Sequence, residues 1–258
     1  MSPKRNVEIK ENFSDEVVNG YHSFCYRDQN NQKLRYRFFR PLTGKENEKY
    51  PLVVYLHGAG SWGKDNIHQL EVAQKITSPE NVKKHPCFVF APQSPTEKKW
   101  VNTKWTFRSH TMSVKPSVQM RLVLGAIEEI IRINPVDLTR IYVCGQSMGG
   151  FGCWDIICRR PDLFAAAVPI CGGADENQAA KIVSIPVWAF HGACDPCVHV
   201  ERSRNMIIAL KKAGGTPKYT EYPEVFHNAW DYAYSPELFD WMFSQKKSNR
   251  QSKSLQKR

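Results

Sequence analysis

The sequence predicts an α/β fold with a mostly parallel central sheet and helices on both faces, and three observations predict it. Short, nearly all-apolar runs bounded by glycine or proline read as strands covered on both sides. Segments with helical spacing separate them, and one of these strands runs through a glycine-rich pentapeptide straight into a helix. Strands alternating with helices of this length place helices on both faces of one sheet.

The elements follow in order. Lys33 to Arg40 alternates through Leu34, Tyr36 and Phe38 and reads as an early strand ending at Pro41. Leu52 to Leu56 and Cys87 to Ala91 are continuous apolar runs, the second stopped by Pro92. Ser117 to Ile133 has helical spacing through Val118, Leu122, Ala126 and Ile130, and strand Ile141 to Cys144 follows it. The spacing then predicts a helix from Met148 to Arg159, strand Ala166 to Ile170, strand Val187 to Phe190, and a helix from Val200 to Lys212 that stops at Gly214-Gly215. Lys218 to Tyr222 and Pro236 to Phe243 supply a last strand and helix. The expected organisation is a polar N-terminal segment (1–20), a single domain (21–244) and a basic, disordered tail (245–258).

Composition narrows the function classes. A chain of 258 residues can bury one large core, and its apolar runs fall well short of the ~20 residues that cross a bilayer. The polar start, without an apolar h-region, points to a cytoplasmic protein. Of eight cysteines, Cys144 and Cys171 lie inside apolar runs, so reduced thiols are expected. Cys194 and Cys197 have the spacing of a metal half-site, but no second pair completes it, so neither metal nor cofactor is expected. The net charge of +11 is concentrated in 245–258, with six basic residues and no acidic one. That favours a solvated tail, with contact to anionic surfaces as the alternative and no nucleic-acid partner.

The chemistry is carried by Gly145-Gln146-Ser147-Met148-Gly149, a G-x-S-x-G between strand and helix. A serine on so sharp a turn needs small neighbours two positions either side, and Gly145 and Gly149 meet that need. A hydroxyl is a poor nucleophile, so a base and an orienting carboxylate must follow in the order Ser, acid, His. Asp195 lies after strand Val187 to Phe190 and His227 after the last strand, on the same sheet edge as Ser147. Asp175 is the rival carboxylate. Oxyanion donors are expected from the Met148 N–H at the helix start and from the small residues of His57-Gly58-Ala59-Gly60, with Ala59 N–H first and Gly60 as fallback. Trp62, Trp100, Trp105 and Trp230, with Gly60, are candidate walls of an apolar acyl or aryl pocket.

These residues resemble the α/β-hydrolase superfamily over about 40–243. The closer likeness is to the phospholipase/carboxylesterase and dienelactone-hydrolase-like esterases, including a predicted-peptidase group. Its carriers are His57-Gly58-Ala59-Gly60 with Gly63-Lys64-Asp65-Asn66, Ala91-Pro92-Gln93, the Ser147 pentapeptide with Gly150, Asp195-Pro196-Cys197-Val198, and His227. The resemblance implies a Ser147, Asp195, His227 triad that hydrolyses a carboxylic ester or a related acyl bond, and an open site favours a small or polymer-attached ester with a short acyl or aryl group. Ser61 departs from the glutamate common in the predicted-peptidase group. The short interval between Cys171 and Pro186 leaves no room for a large cap domain. A thioester or peptide substrate is the alternative within this chemistry, and a non-enzymatic ligand-binding homologue the alternative outside it.

Overall fold

The computed structural model describes residues 17–41 and 48–247. Strands β1 (Tyr21–Arg27) and β2 (Lys33–Phe39) form an antiparallel hairpin. Asp28 shapes its turn, because Oδ1 accepts the N–H groups of Asn30 and Gln32, and Asn31 adopts φ 59°, which asparagine tolerates. Then come β3 (Tyr50–Leu56), the short helices α1 (Leu70–Ala73) and α2 (Pro79–Lys84), β4 (Phe88–Gln93) and α3 (Val118–Ile133). Next are β5 (Val136–Gln146), α4 (Met148–Arg159) and β6 (Ala166–Ile170). The chain closes with β7 (Trp188–Gly192), α5 (Glu201–Lys212), β8 (Lys218–Tyr222), α6 (Trp230–Ala233) and α7 (Pro236–Ser244).

The eight strands form one sheet in the order β1-β2-β4-β3-β5-β6-β7-β8. All neighbours from β4 to β8 pair in parallel, and β2 alone runs against them, antiparallel to β1 on one side and to β4 on the other. Two buried layers flank the sheet. Leu52, Val54 and Leu56 of β3 join residues of α3, α4 and α5 on one face, whereas Val53 and Tyr55 join residues of α1 and α7 on the other. Side chains alternate across a strand, so burial on both faces demands the unbroken apolar run read from the sequence.

The structure corrects several boundaries. β1 precedes the expected first strand; it is the sheet edge, half-buried over most of its length, and lacks a clean alternation. β4 continues through Pro92. Proline has no N–H to give, and the carbonyl of Tyr36 opposite it receives Asn66 Nδ2 at 3.0 Å instead. β5 starts five residues before Ile141, in a polar stretch where Asp137 binds Thr139 and Arg140. Between β6 and β7 stands only a 3-10 helix, Glu176–Ile182.

The tail expected to leave the fold at Gln245 stays docked to Lys247. The Lys247 N–H reaches Thr139 O at 3.0 Å, and its Nζ donates to the carbonyls of Asp162 and Leu163 at 2.9 and 2.8 Å. Burial lowers its pKa to about 8. The remaining tail, 248–258, and the N-terminal 1–16 lie outside the described residues. Lys247→Ala removes both Nζ bonds and is expected to cost about 2 kcal/mol, a fall in Tm of about 5 °C by calorimetry.

Candidate active site

Ser147 stands between β5 and α4 with φ 54° and ψ −119°, a conformation costly for a residue with a side chain. Its N–H is held by Ile170 O at 2.9 Å. The surrounding glycines are required by contact. A Cβ on Gly149 would stand 1.8 Å from Leu56 O, and one on Gly145 2.6 Å from the same oxygen. The turn therefore projects Ser147 at the carboxyl end of the sheet, as the pentapeptide predicts.

Asp195 and His227 come from the loops after β7 and β8, and these loops are bound to each other. Ala193 N–H reaches Tyr222 O at 2.9 Å and Cys194 N–H reaches Val225 O at 3.1 Å. A Cβ on Gly192 would strike the carbonyls of Val225 and Phe226, so the glycine sets how closely the two loops approach. The result brings the three expected side chains together. His227 Nδ1 is 2.6 Å from Asp195 Oδ2, and His227 Nε2 is 2.8 Å from Ser147 Oγ.

Asp195 is held from several sides. Oδ1 accepts the N–H groups of Cys197 and Val198 at 2.8 and 2.9 Å. Oδ2 also lies 3.3 Å from Nε2 of the buried His191, whose Nδ1 is 2.7 Å from Ser203 Oγ. Burial pushes this carboxyl up, but the hydrogen bonds from His191, His227 and Val198 outweigh it and hold it well below the usual carboxylate range. Asp175, the rival, caps the 3-10 helix: its oxygens take the N–H groups of Met112 and Asn177 and the Gln178 amide. It makes no bond to His227. Asp195, Cys197 and His227 bring ligand-type atoms within 4.8 Å of one another, as do Cys171, His191 and Asp195. The atoms of Asp195 and His227 are already engaged in the bonds described.

The loop expected to supply one oxyanion donor forms a single 3-10 turn, Ala59–Ser61. Ala59 opens that turn and Met148 opens α4, and first-turn N–H groups have no acceptor within their own helix. A Cβ on Gly58 would lie 3.5 Å from Ser147 Cβ, which sets the closeness of this loop to the serine. His57 braces the loop, as its sequence position suggests. It accepts Ser94 N–H at Nε2, 2.9 Å away, so its proton is on Nδ1, donated to Gly58 O at 2.6 Å.

A cleft of about 540 Å³ opens over Ser147 and His227. Of the predicted wall residues, Gly60, Trp105 and Trp230 line it. Trp230 also stands edge-on to the His227 ring at 5.3 Å. Trp100 and Trp62 do not line it. Trp100 is fully buried and donates Nε1 to His57 O at 3.0 Å, so it supports the Ala59 turn from below. Trp62 donates to Lys98 O and leans on Trp105 with ring centres 5.8 Å apart. Glu71, Val72, Cys197 and Val198 are walls the sequence reading missed. The first two sit on a four-residue helix too short to show periodicity, whereas Cys197 and Val198 follow Asp195 directly and were within reach of that reading.

The dienelactone hydrolase family model matches residues 42–236. The chain belongs to the dienelactone hydrolase family. Similar to this family member is an uncharacterized secreted protein of Arthroderma benhamiae, 26% identical over 235 residues, an alignment taking in 75% of this chain and 23% of that protein. The chain thus spans about a quarter of that relative. Among solved structures, a thermostable esterase superposes with TM-score 0.83 at 36% identity, covering 90% of this chain and 64% of the esterase. A ferulic acid esterase superposes with TM-score 0.65 at 17% identity over 86% of this chain and 97% of its own. A puromycin-hydrolyzing peptidase of Mycobacterium tuberculosis does so with TM-score 0.65 at 15% identity, over 89% and 40%. The last two share the α/β-hydrolase fold.

A pH prediction follows from His57. Burial lowers its pKa from 6.5 to about 4 in the folded chain, so between these values the unfolded chain binds the extra proton. Stability from this group is complete above pH 6.5 and is lost as the pH falls toward 4. Its size is about 3 kcal/mol. Urea unfolding at pH 7 and at pH 4 should show a smaller acid loss in His57→Gln than in the parent.

Proposed function

We propose that the protein is a serine hydrolase that cleaves a carboxylic ester through an acyl-enzyme on Ser147. One observation carries the reading: Asp195, the His227 ring and Ser147 form an unbroken run of contacts at 2.6 and 2.8 Å. The carboxylate fixes the proton on Nδ1, leaving Nε2 as the acceptor of the Ser147 hydroxyl proton. As Oγ attacks the acyl carbon, Nε2 takes that proton, and Asp195 stabilises the imidazolium. The oxygen that gains charge is met by the N–H groups of Ala59 and Met148, each worth about 3 kcal/mol of barrier where such donors have been removed. Nε2–H then protonates the leaving alcohol. Water, deprotonated by Nε2, attacks the acyl-enzyme and frees the acid and Ser147.

A short-acyl or aryl ester suits the cleft, which has Trp105 and Trp230 in its walls and only a 3-10 helix where a cap would insert. The thermostable esterase likeness supports ester hydrolysis. The same three groups can serve amide or thioester cleavage, which is the second reading. A non-enzymatic binding role has no support from the contacts, because each proposed catalytic group is present and connected.

Ser147→Ala is expected to fold normally while losing p-nitrophenyl acetate hydrolysis and fluorophosphonate labelling. Asp195→Asn should lower kcat by about 10⁴-fold, because the imidazole loses its orienting charge. Activity of Ser147→Ala at the parent level would overturn the assignment. Matched ester, thioester and peptide substrates rank the scissile bond.

A further inference from the structure

Resting on the hydrolase reading above, we infer that Glu71 selects substrates carrying a cationic group, a protonated amine or a quaternary ammonium. Glu71 and Val72 of α1 belong to the wall of the cleft that also contains Ser147 and His227. Glu71 is the single acidic side chain of that wall, and no lysine or arginine lines it, a local reversal in a chain of net charge +11.

The carboxylate of Glu71 has no hydrogen bond or ion pair among the described residues; only its backbone is used, the N–H donating to His68 O at 3.3 Å and the carbonyl accepting Gln74 Nε2 at 3.0 Å. Acids nearby in the fold are engaged. Asp65 accepts the N–H groups of Ile67 and His68 and the Gln93 amide, and Asp231 meets Lys75 at 3.4 Å. Lys75, two residues past the end of α1, is therefore turned to Asp231, and the exposed Glu71 carboxylate stands at the cleft wall without a protein cation.

The aromatic walls favour the same ligand. A cation entering the cleft loses water, and indole faces and a carboxylate replace it. One face of Trp105 is already taken by Lys99, whose Nζ is 4.5 Å from its ring centroid, which leaves the Trp230 indole as the aromatic partner for a ligand cation. A neutral substrate gains nothing from the carboxylate, and an anionic one is repelled.

The test compares kcat/KM within two isosteric pairs. One carries the charge on the alcohol side, 2-(trimethylammonio)ethyl acetate against 3,3-dimethylbutyl acetate. The other carries it on the acyl side, ethyl 4-aminobutanoate against ethyl pentanoate. The wild type is expected to favour the cationic member of at least one pair by about fivefold, the scale of a partly exposed ion pair, and the preference should shrink in about 0.5 M salt. Glu71→Gln should bring that ratio to about one, and Glu71→Lys should invert it. A ratio of one for both pairs in the wild type, or a preference that survives in Glu71→Gln, overturns the inference. If the wild type hydrolyses no member of either pair and takes no fluorophosphonate label, the hydrolase reading fails and this inference with it. Labelling and neutral-ester hydrolysis with flat ratios overturn the inference about Glu71 alone.

Discussion

The site depends on how deeply the start of α4 sinks into the sheet. Three glycines set that depth by contact: a Cβ on Gly149 would overlap the Leu56 carbonyl, one on Gly150 would stand 2.3 Å from Ile170 O, and one on Gly145 would meet Leu56 O and Gly149 O together. With the helix lodged between β3 and β6, the residue that joins it to β5 is left no ordinary backbone conformation. Ser147 takes the positive φ, at a cost of about 1–3 kcal/mol. The helix offsets that cost because every residue from Met148 to Cys158 is buried, and apolar burial at this scale exceeds the strain several-fold. The strained serine turn and the buried helix are therefore one arrangement.

The other two side chains are positioned by loops, which regular structure alone does not hold rigid. β5 and β8 are separated by β6 and β7, so the loop bearing His227 must reach back along the sheet edge. It is held by backbone bonds to the loop bearing Asp195 and by the bare face of Gly192. Asp195 is in turn tied to its own loop by the Cys197 and Val198 N–H groups. The carboxylate thus performs two tasks. It closes its own turn and orients the imidazole, and its lowered pKa keeps it charged for both.

Much of this was legible in the residues, and what was not has a physical reason. α4, β6 and β8 fall on the predicted ranges because each is bounded by glycine, proline or a change of polarity. The three polar side chains of the site were legible because a strained serine turn and chain order leave few candidates. β1 escaped because an edge strand needs only one covered face, and the first half of β5 because its polar residues bind one another. The tail boundary escaped because a lysine reads as solvated. Only the fold shows that two carbonyls, of Asp162 and Leu163, await its ammonium.

The tryptophans show the limit most clearly. Trp100 and Trp105 are five residues apart in the 24-residue connection between β4 and α3, with the same side chain and similar neighbours, yet one is core and the other cleft wall. Their difference is tertiary. Trp100 binds His57 O with its indole N–H, while its own carbonyl accepts Ser117 Oγ, the hydroxyl that also caps α3 through Met120 N–H. The turn bearing Ala59 is therefore linked through Trp100 to the start of α3. Trp105 belongs to the same connection and forms part of the wall. A change in that wall that shifts the connection would also move the support beneath the Ala59 N–H. Under the proposed hydrolase reading this link would couple substrate fit to oxyanion geometry, so that alterations of the pocket on this side should register in kcat as well as in KM.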